Sequence, residues 1–301
     1  MPGDEKQKCG GGRLILVRTA ERVDRIFPNW IEESFRGAHY VPRDLNLPVK
    51  LPYRRGGYKA FRNDSPITEF GHVTAQLIGR AIGGQLAPSS TFRVYSSPAL
   101  RCIQTAFHIV RLTQDAKLPT PKIAVEPGLL EWSQWWIQEG QKEHSKQLSS
   151  SFMTLEELTG ASYPIDRRYQ PVDEEPRKGE TIQEAYDRIG RTLQKISERH
   201  PQPEATILIV GHGMTLDAGA RRLLAARHKD KEQTKTEGAP QKEEDLLRLG
   251  IAYPYTASLV LSRRAPSRHR QWRLEEEAIP SINYLDFSNS ARTRPLTTLA
   301  A

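Results

Sequence analysis

Short apolar runs alternate with longer amphipathic stretches along this chain, and each period predicts an element. Arg13-Leu14-Ile15-Leu16-Val17 holds the continuous apolar run Leu14–Val17, of the kind that forms a buried central strand. Phe92–Tyr95 and Thr206–Val210 repeat the pattern and lead into Ser96-Ser97-Pro98 and Gly211-His212-Gly213. Helical spacing follows both: Leu100, Ile103, Phe107, Val110 and Leu112 after Pro98, and a run from Met214 to near Arg227 after Gly213. A further helix is expected near Val73. The clearest helix has a capping box, Thr181 with Glu184, and a stripe of Ile182, Ala185, Ile189, Leu193 and Ile196. Thr154 with Glu157 opens a shorter one. Ser258–Leu261 is a late strand, with Gln271–Leu274 as its hairpin partner. Strands alternating with helices predict an α/β fold: a single three-layer domain with a mostly parallel central sheet and helices on both faces.

Three segments fall outside that pattern. Residues 36–64, rich in Pro, Gly and Arg, are too long for an ordinary connection and predict a lid or insertion. Residues 229–245 are almost wholly polar or charged and predict a mobile loop. Residues 1–12 and 288–301 have the composition of flexible tails, leaving 13–287 as the domain. The hydrophobic fraction of 37% over 301 residues suits one large domain carrying such decorations. There is no internal repeat.

Composition narrows the class. Two cysteines, Cys9 and Cys102, can form neither a disulfide framework nor a four-thiolate zinc site, and they suit a reducing compartment. No apolar stretch approaches the roughly 20 residues of a membrane span. The N-terminus lacks the apolar centre of a signal peptide, so the expectation is a cytoplasmic or nuclear protein without a membrane partner. The net charge of +8 raises nucleic-acid binding as an alternative. Its basic pairs, Arg54-Arg55, Arg221-Arg222 and Arg263-Arg264, are isolated and belong to no nucleic-acid module, which favours a solvated basic surface.

Chemistry gathers where the strands end. In open α/β sheets, ligands bind beyond the carboxyl ends of the strands. There the chain places Arg18, Thr19, Ala20, Glu21 and Arg22 after the first strand, Arg101 after the second, and His212 between two glycines after the third. Three guanidiniums and an imidazole beside a helix N-terminus make a pocket for a phosphate-like anion. Trp132, Trp135 and Trp136 either line an adjoining slot or belong to the core. Cys102, on a predicted helix, is read as buried and inert. His108, His144 and His200 have no ligand spacing, so no metal is expected.

The motifs "ERVDRIF" (Glu21–Phe27), "DLNLPVKLPYR" (Asp44–Arg54), "SSPALRCIQTA" (Ser96–Ala106), "EPGLLEWSQW" (Glu126–Trp135), "MTLEEL" (Met153–Leu158) and "ILIVGHGMTLD" (Ile207–Asp217) carry a resemblance. The chain resembles the histidine phosphatase, or phosphoglycerate mutase-like, superfamily from about Arg13 to near Phe287. More narrowly it is similar to the phosphatase domain of the suppressor of T-cell receptor signalling (TULA, ubiquitin-associated and SH3 domain-containing) proteins and to ecdysteroid-phosphate phosphatase. That resemblance implies phosphoryl transfer through a phosphohistidine, without a cofactor. It assigns phosphate binding to Arg18, Arg22, Arg101 and His212, the second histidine, and proton donation to Glu131. Homodimers also occur in the parent family.

One motif departs from the family. Where the family has Arg-His-Gly-Glu-Arg, this chain has Arg18-Thr19-Ala20-Glu21-Arg22, so Thr19 stands at the nucleophile's position. A threonine hydroxyl is a poor nucleophile unless a base activates it. Losing the nucleophile of a concerted site costs on the order of 10⁶ in turnover. Ala20 adds a methyl group beside the ligand and would disfavour any positive φ at that position. The expectation is a pseudophosphatase that binds a phosphorylated protein or a small phosphoester, with a regulatory or scaffold role. The alternative is a weakly active or altered phosphomonoesterase, in which water attacks with His212 as base.

Overall fold

The structure is a computed structural model and describes residues 12–87, 90–113, 120–133, 151–173, 175–224, 243–263 and 272–291. Cys9, Trp135, Trp136, His144 and most of the expected tails and charged loop lie outside those residues. The chain runs β1 (Arg13–Arg18), α1 (Val23–Ile26), α2 (Trp30–Ser34), β2 (Phe35–Arg36), β3 (His39–Tyr40), α3 (Glu69–Gly83), β4 (Thr91–Ser96) and α4 (Leu100–Val110). It continues through β5 (Ile123–Val125), α5 (Leu155–Gly160), α6 (Ile182–Glu198), β6 (Ala205–Gly211), α7 (Gly213–Gly219) and α8 (Glu243–Ala252). The last strands are β7 (Ser258–Arg263), β8 (Trp272–Leu274), β9 (Asn283–Tyr284) and β10 (Phe287–Ser288).

Six strands form one sheet in the order β5-β4-β6-β1-β7-β8. The first four are parallel, and β7 and β8 pair antiparallel at one edge. The expected hairpin partner of the late strand is therefore present as β8. Burial on both faces explains the unbroken apolar runs, because alternate residues feed different layers. Ile15, Val17, Leu208 and Val210 pack with Ile78, Ile82, Ile103 and Ile109 of α3 and α4. Leu14, Leu16, Ile207 and Ile209 pack with Ile189 and Leu193 of α6 and with Met214 and Leu216 of α7. This is a three-layer α/β domain.

Both predicted capping boxes form. The Thr181 hydroxyl accepts from Glu184 N and the Thr154 hydroxyl from Glu157 N, both at 3.2 Å. In the helix after β6, α7 runs to Gly219 and a π-helical turn, Ala220–Leu224, continues it, while the expected end near Arg227 lies outside the described residues. The end of the expected charged loop, residues 243–245, lies in α8, and the rest of it lies outside the described residues. Within 36–64, Tyr40, Tyr58 and Phe61 join Trp30 and Phe35 in an aromatic cluster. The buried Arg54–Asp64 ion pair, at 2.8 Å, ties the end of that segment to α4, because Asp64 also accepts from Leu100 N at 2.7 Å. Among the described residues, no helix is long and apolar enough to cross a membrane.

Candidate active site

Strand register assembles the site. Arg18 lies opposite Gly211, and Ser96 opposite Val210, so β1, β4 and β6 end nearly level. Thr19 N then donates to Gly211 O at 2.8 Å, and Ser97 N donates to Val210 O at 3.0 Å. The residues that follow are forced onto one end of the sheet, where the α4 and α7 N-termini also begin.

The strand-end groups converge on Glu131. Its Oε1 pairs with Arg101 Nη2 and lies 3.3 Å from His212 Nδ1 and 3.9 Å from Arg22 Nη1. Glu131 is only 9% exposed, and Arg101 is fully buried. Two further guanidinium donors of Arg101, Nε and Nη1, are buried without a hydrogen-bond partner. A buried guanidinium with two unsatisfied donors matches an oxyanion, since buried polar groups are ordinarily paired.

The other two arginines are held from outside the pocket. Arg22 donates Nε and Nη2 to Asp24 at 2.9 and 2.7 Å, leaving Nη1 towards Glu131. Arg18 donates Nη1 to Tyr253 O and, at 3.4 Å, to Gly250 O, and its guanidinium lies 4.4 Å from the centre of the Tyr255 ring.

Burial holds the His212 imidazole below its ordinary pKa, with Glu131 opposing and Arg101, Arg22 and Arg18 reinforcing the shift. Burial alone would raise the Glu131 carboxyl, but His212 when protonated, together with Arg101 and Arg22, outweighs it and keeps the group low. At neutral pH the site therefore rests with a neutral imidazole and an ionised carboxylate. Nδ1 faces that carboxylate at 3.3 Å and Arg101 Nη2 at 3.5 Å, and the carboxylate favours the tautomer with the proton on Nδ1. Ser97 then donates its hydroxyl to Nε2 at 2.9 Å. Cys102 is fully buried 3.7 Å from Nε2, and burial pushes its thiol up to about 12, in keeping with an inert cysteine.

Among the described residues, Thr19 shares no hydrogen bond with Glu131, Arg101, Arg22 or His212. It is buried, and its hydroxyl meets Ala20 O at 3.3 Å and Thr105 Oγ1 at 3.5 Å, neither of which is a base. Ala20 has no positive φ, so the backbone strain expected there does not arise. Glu21 serves the scaffold: its carboxylate accepts from Thr68 Oγ1 at 2.8 Å and Asn46 Nδ2 at 3.1 Å.

Several supporting residues escape sequence reasoning. Thr105 accepts from Ala20 N at 2.9 Å and donates to Arg101 O at 2.7 Å, joining the β1 loop to α4. Arg188 donates to Gly128 O and Leu130 O at 2.8 and 2.9 Å and pairs with Glu180, which fixes the loop carrying Glu131. A polar residue on the buried face of α6 is a signal that could have pointed to Arg188, but no local spacing links it to residue 131. Trp132 is tied to that same region, donating Nε1 to Glu180 O at 2.6 Å. Among the described residues, no group of three or more His, Cys, Asp or Glu side chains could hold a metal ion.

A three-layer α/β sheet thus gathers guanidiniums, an imidazole and a carboxylate at its strand ends, a set of groups able to hold an oxyanion. The chain belongs to the histidine phosphatase superfamily (branch 1), whose family model matches residues 53–239. That match contains Arg101, Glu131 and His212 and begins downstream of Arg18–Arg22. The chain is 36% identical over 205 residues to the ecdysteroid-phosphate phosphatase of Bombyx mori, covering 68% of this chain and 29% of that protein. It is 38% identical over 219 residues to ubiquitin-associated and SH3 domain-containing protein A of Mus musculus, covering 70% of this chain and 32% of that one. The chain thus spans about a third of the length of these curated relatives. The crystal structure of the Bombyx mori ecdysone phosphate phosphatase in complex with tungstate superposes with a TM-score of 0.70 at 30% identity. It covers 90% of this chain and 95% of that one.

Proposed function

We propose that this chain is a pseudophosphatase: a histidine phosphatase fold that binds a phosphomonoester, on a protein or a small molecule, with little turnover. The observation that carries the reading is the pairing of a threonine at the nucleophile's position with a buried Arg101 whose Nε and Nη1 are unsatisfied. Arg18, Arg22, Arg101 and His212 bind the phosphoryl oxygens in this reading, with Arg18 held by the Gly250 and Tyr253 carbonyls. Among the described residues the Thr19 hydroxyl is hydrogen-bonded to no base, which supports slow chemistry. The relative solved with tungstate supports oxyanion binding in this fold. Partners are phosphorylated proteins or phosphoesters, a homodimer is a compatible assembly, and the compartment is cytoplasmic or nuclear.

Calorimetric titration with tungstate and a p-nitrophenyl phosphate assay test the proposal together. The expected result is saturable tungstate binding, lost in Arg101→Ala, with turnover near background. Absence of binding would remove the phosphate pocket and leave only a scaffold role.

A second reading, a weakly active phosphomonoesterase, is favoured by the intact contact of Glu131 with Arg101 and His212. Hydrolysis of p-nitrophenyl phosphate well above background, abolished by Arg101→Ala, would select it over the first.

A further inference from the structure

One carboxylate oxygen does in this pocket what a phosphoryl oxygen would do. Glu131 Oε1 lies on Arg101 Nη2, His212 Nδ1 and Arg22 Nη1 together, at the strand ends where the anion is read to bind. An arriving dianion must take over donors that Glu131 already uses. If the carboxylate stayed ionised at that range, two like charges would share a dry site, which strongly disfavours one of them.

We propose that the Glu131 carboxylate is an intramolecular stand-in for a phosphoryl oxygen, and that an oxyanion dianion enters this pocket only as Glu131 takes up a proton from solvent. The proposal rests on the phosphate-pocket reading above and specifies how that site is regulated.

The balance is simple. One proton leaves the solvent and becomes bound to a Glu131 oxygen. Arg101 Nη2, His212 Nδ1–H and Arg22 Nη1 then turn to the incoming anion, whose charge replaces the one neutralised. No covalent bond to the anion forms. The groups facing Glu131 are Arg18 and Arg22 from the β1 end, Arg101 from α4 and His212 from the start of α7. Asp24 is turned to Arg22, and Cys102 lies against the far nitrogen of His212. All the titratable neighbours except Glu131 are thus already cationic, already paired or, for His212, neutral and donating towards the carboxylate. Among these groups the ionised Glu131 carboxylate is the one whose charge opposes a second anion and whose oxygen occupies its donors. The low resting pKa of the carboxyl, set by His212, Arg101 and Arg22 against burial, gives the linkage its sign. Between the low free-state pKa and the raised bound-state pKa, affinity must rise as pH falls.

Sulfate is the probe, because it remains a dianion across the range and brings no proton of its own. The wild-type chain should bind sulfate more tightly as pH falls from 7 to 5, with a slope approaching tenfold per pH unit for one linked proton. Glu131→Gln should bind about a hundredfold or more tightly than wild type at pH 7, with affinity nearly flat across the range. Calorimetry at pH 5.5 in buffers of different ionisation enthalpy should show uptake approaching one proton by wild type and none by the variant.

Wild-type affinity that does not change with pH would overturn the proposal while leaving the pocket intact. A pH dependence that persists in Glu131→Gln would assign the proton to His212 and overturn it equally. Weaker binding by Glu131→Gln, with an unchanged urea midpoint, would make Glu131 a ligand-supporting group rather than a competitor. If neither chain binds sulfate at any pH, the phosphate-pocket reading fails, and this proposal with it.

Discussion

At the scale of single residues, the question is what separates this site from one that turns over. Arg101, Glu131 and His212 contact one another at the strand ends, whereas among the described residues the Thr19 hydroxyl meets a carbonyl and another threonine. Restoring the family residues by Thr19→His with Ala20→Gly should therefore raise aryl phosphate hydrolysis by orders of magnitude over the native chain, followed as nitrophenolate release. Electrostatic stabilisation from donors already aimed at the site would supply the rest of the catalysis. Because Ala20 adopts an ordinary backbone conformation, Thr19→His alone should come within about tenfold of the double variant, a gap of one pKa-sized step or less. A folded double variant that binds tungstate but remains inactive would show that the imidazole at residue 19 cannot reach the phosphorus.

At the scale of elements, precision comes from contacts between segments far apart in sequence. Arg188 on α6 holds the 128–130 backbone through two carbonyls and pairs with the buried Glu180. Arg188→Met leaves that carboxylate buried and unpaired, so unfolding should become easier by about 3–5 kcal/mol, measured by urea denaturation. The α3–α4 interface holds a different device. His72 and His108 stack with ring centroids 4.3 Å apart, and burial, aided by His72 and Arg111, pushes the His108 imidazole down to about 3. In the unfolded chain an imidazole protonates below about 6.5, so between those values the unfolded state binds the extra proton. Stability contributed by a neutral His108 is full above pH 6.5 and falls as pH drops towards 3. The urea midpoint of wild type should therefore decline between pH 6.5 and 5 more steeply than that of His108→Gln. Equal slopes would remove His108 from the acid response.

At the scale of the whole molecule, the sequence and the structure agree where local chemistry dominates. The apolar runs of β1 and β6 announced a sheet buried on both faces, and Thr181 with Glu184 announced α6, because periodicity and capping act over a few residues. The strand-end arginines and His212 were legible for a related reason: a parallel sheet brings the residues after each strand to one end. Ser97, Thr105, Asp24 and Arg188 were not legible, since each acts through a contact that depends on register and helix docking.

The same scale decides whether anion effects belong to the site or to the net charge of +8. A diffuse basic surface would be stabilised by any salt through screening, and Arg101→Ala would respond as wild type does. A built pocket couples stability to one ligand instead. Sulfate at about 100 times its Kd should add about 2.7 kcal/mol to folding. For a domain of this size that corresponds to a rise in Tm of about 5–10 °C. Sodium chloride at equal ionic strength should give far less, and Arg101→Ala should lose the sulfate increment whatever its own starting Tm. Equal shifts with both salts in both chains would place the response on the surface charge and take the pocket out of the account.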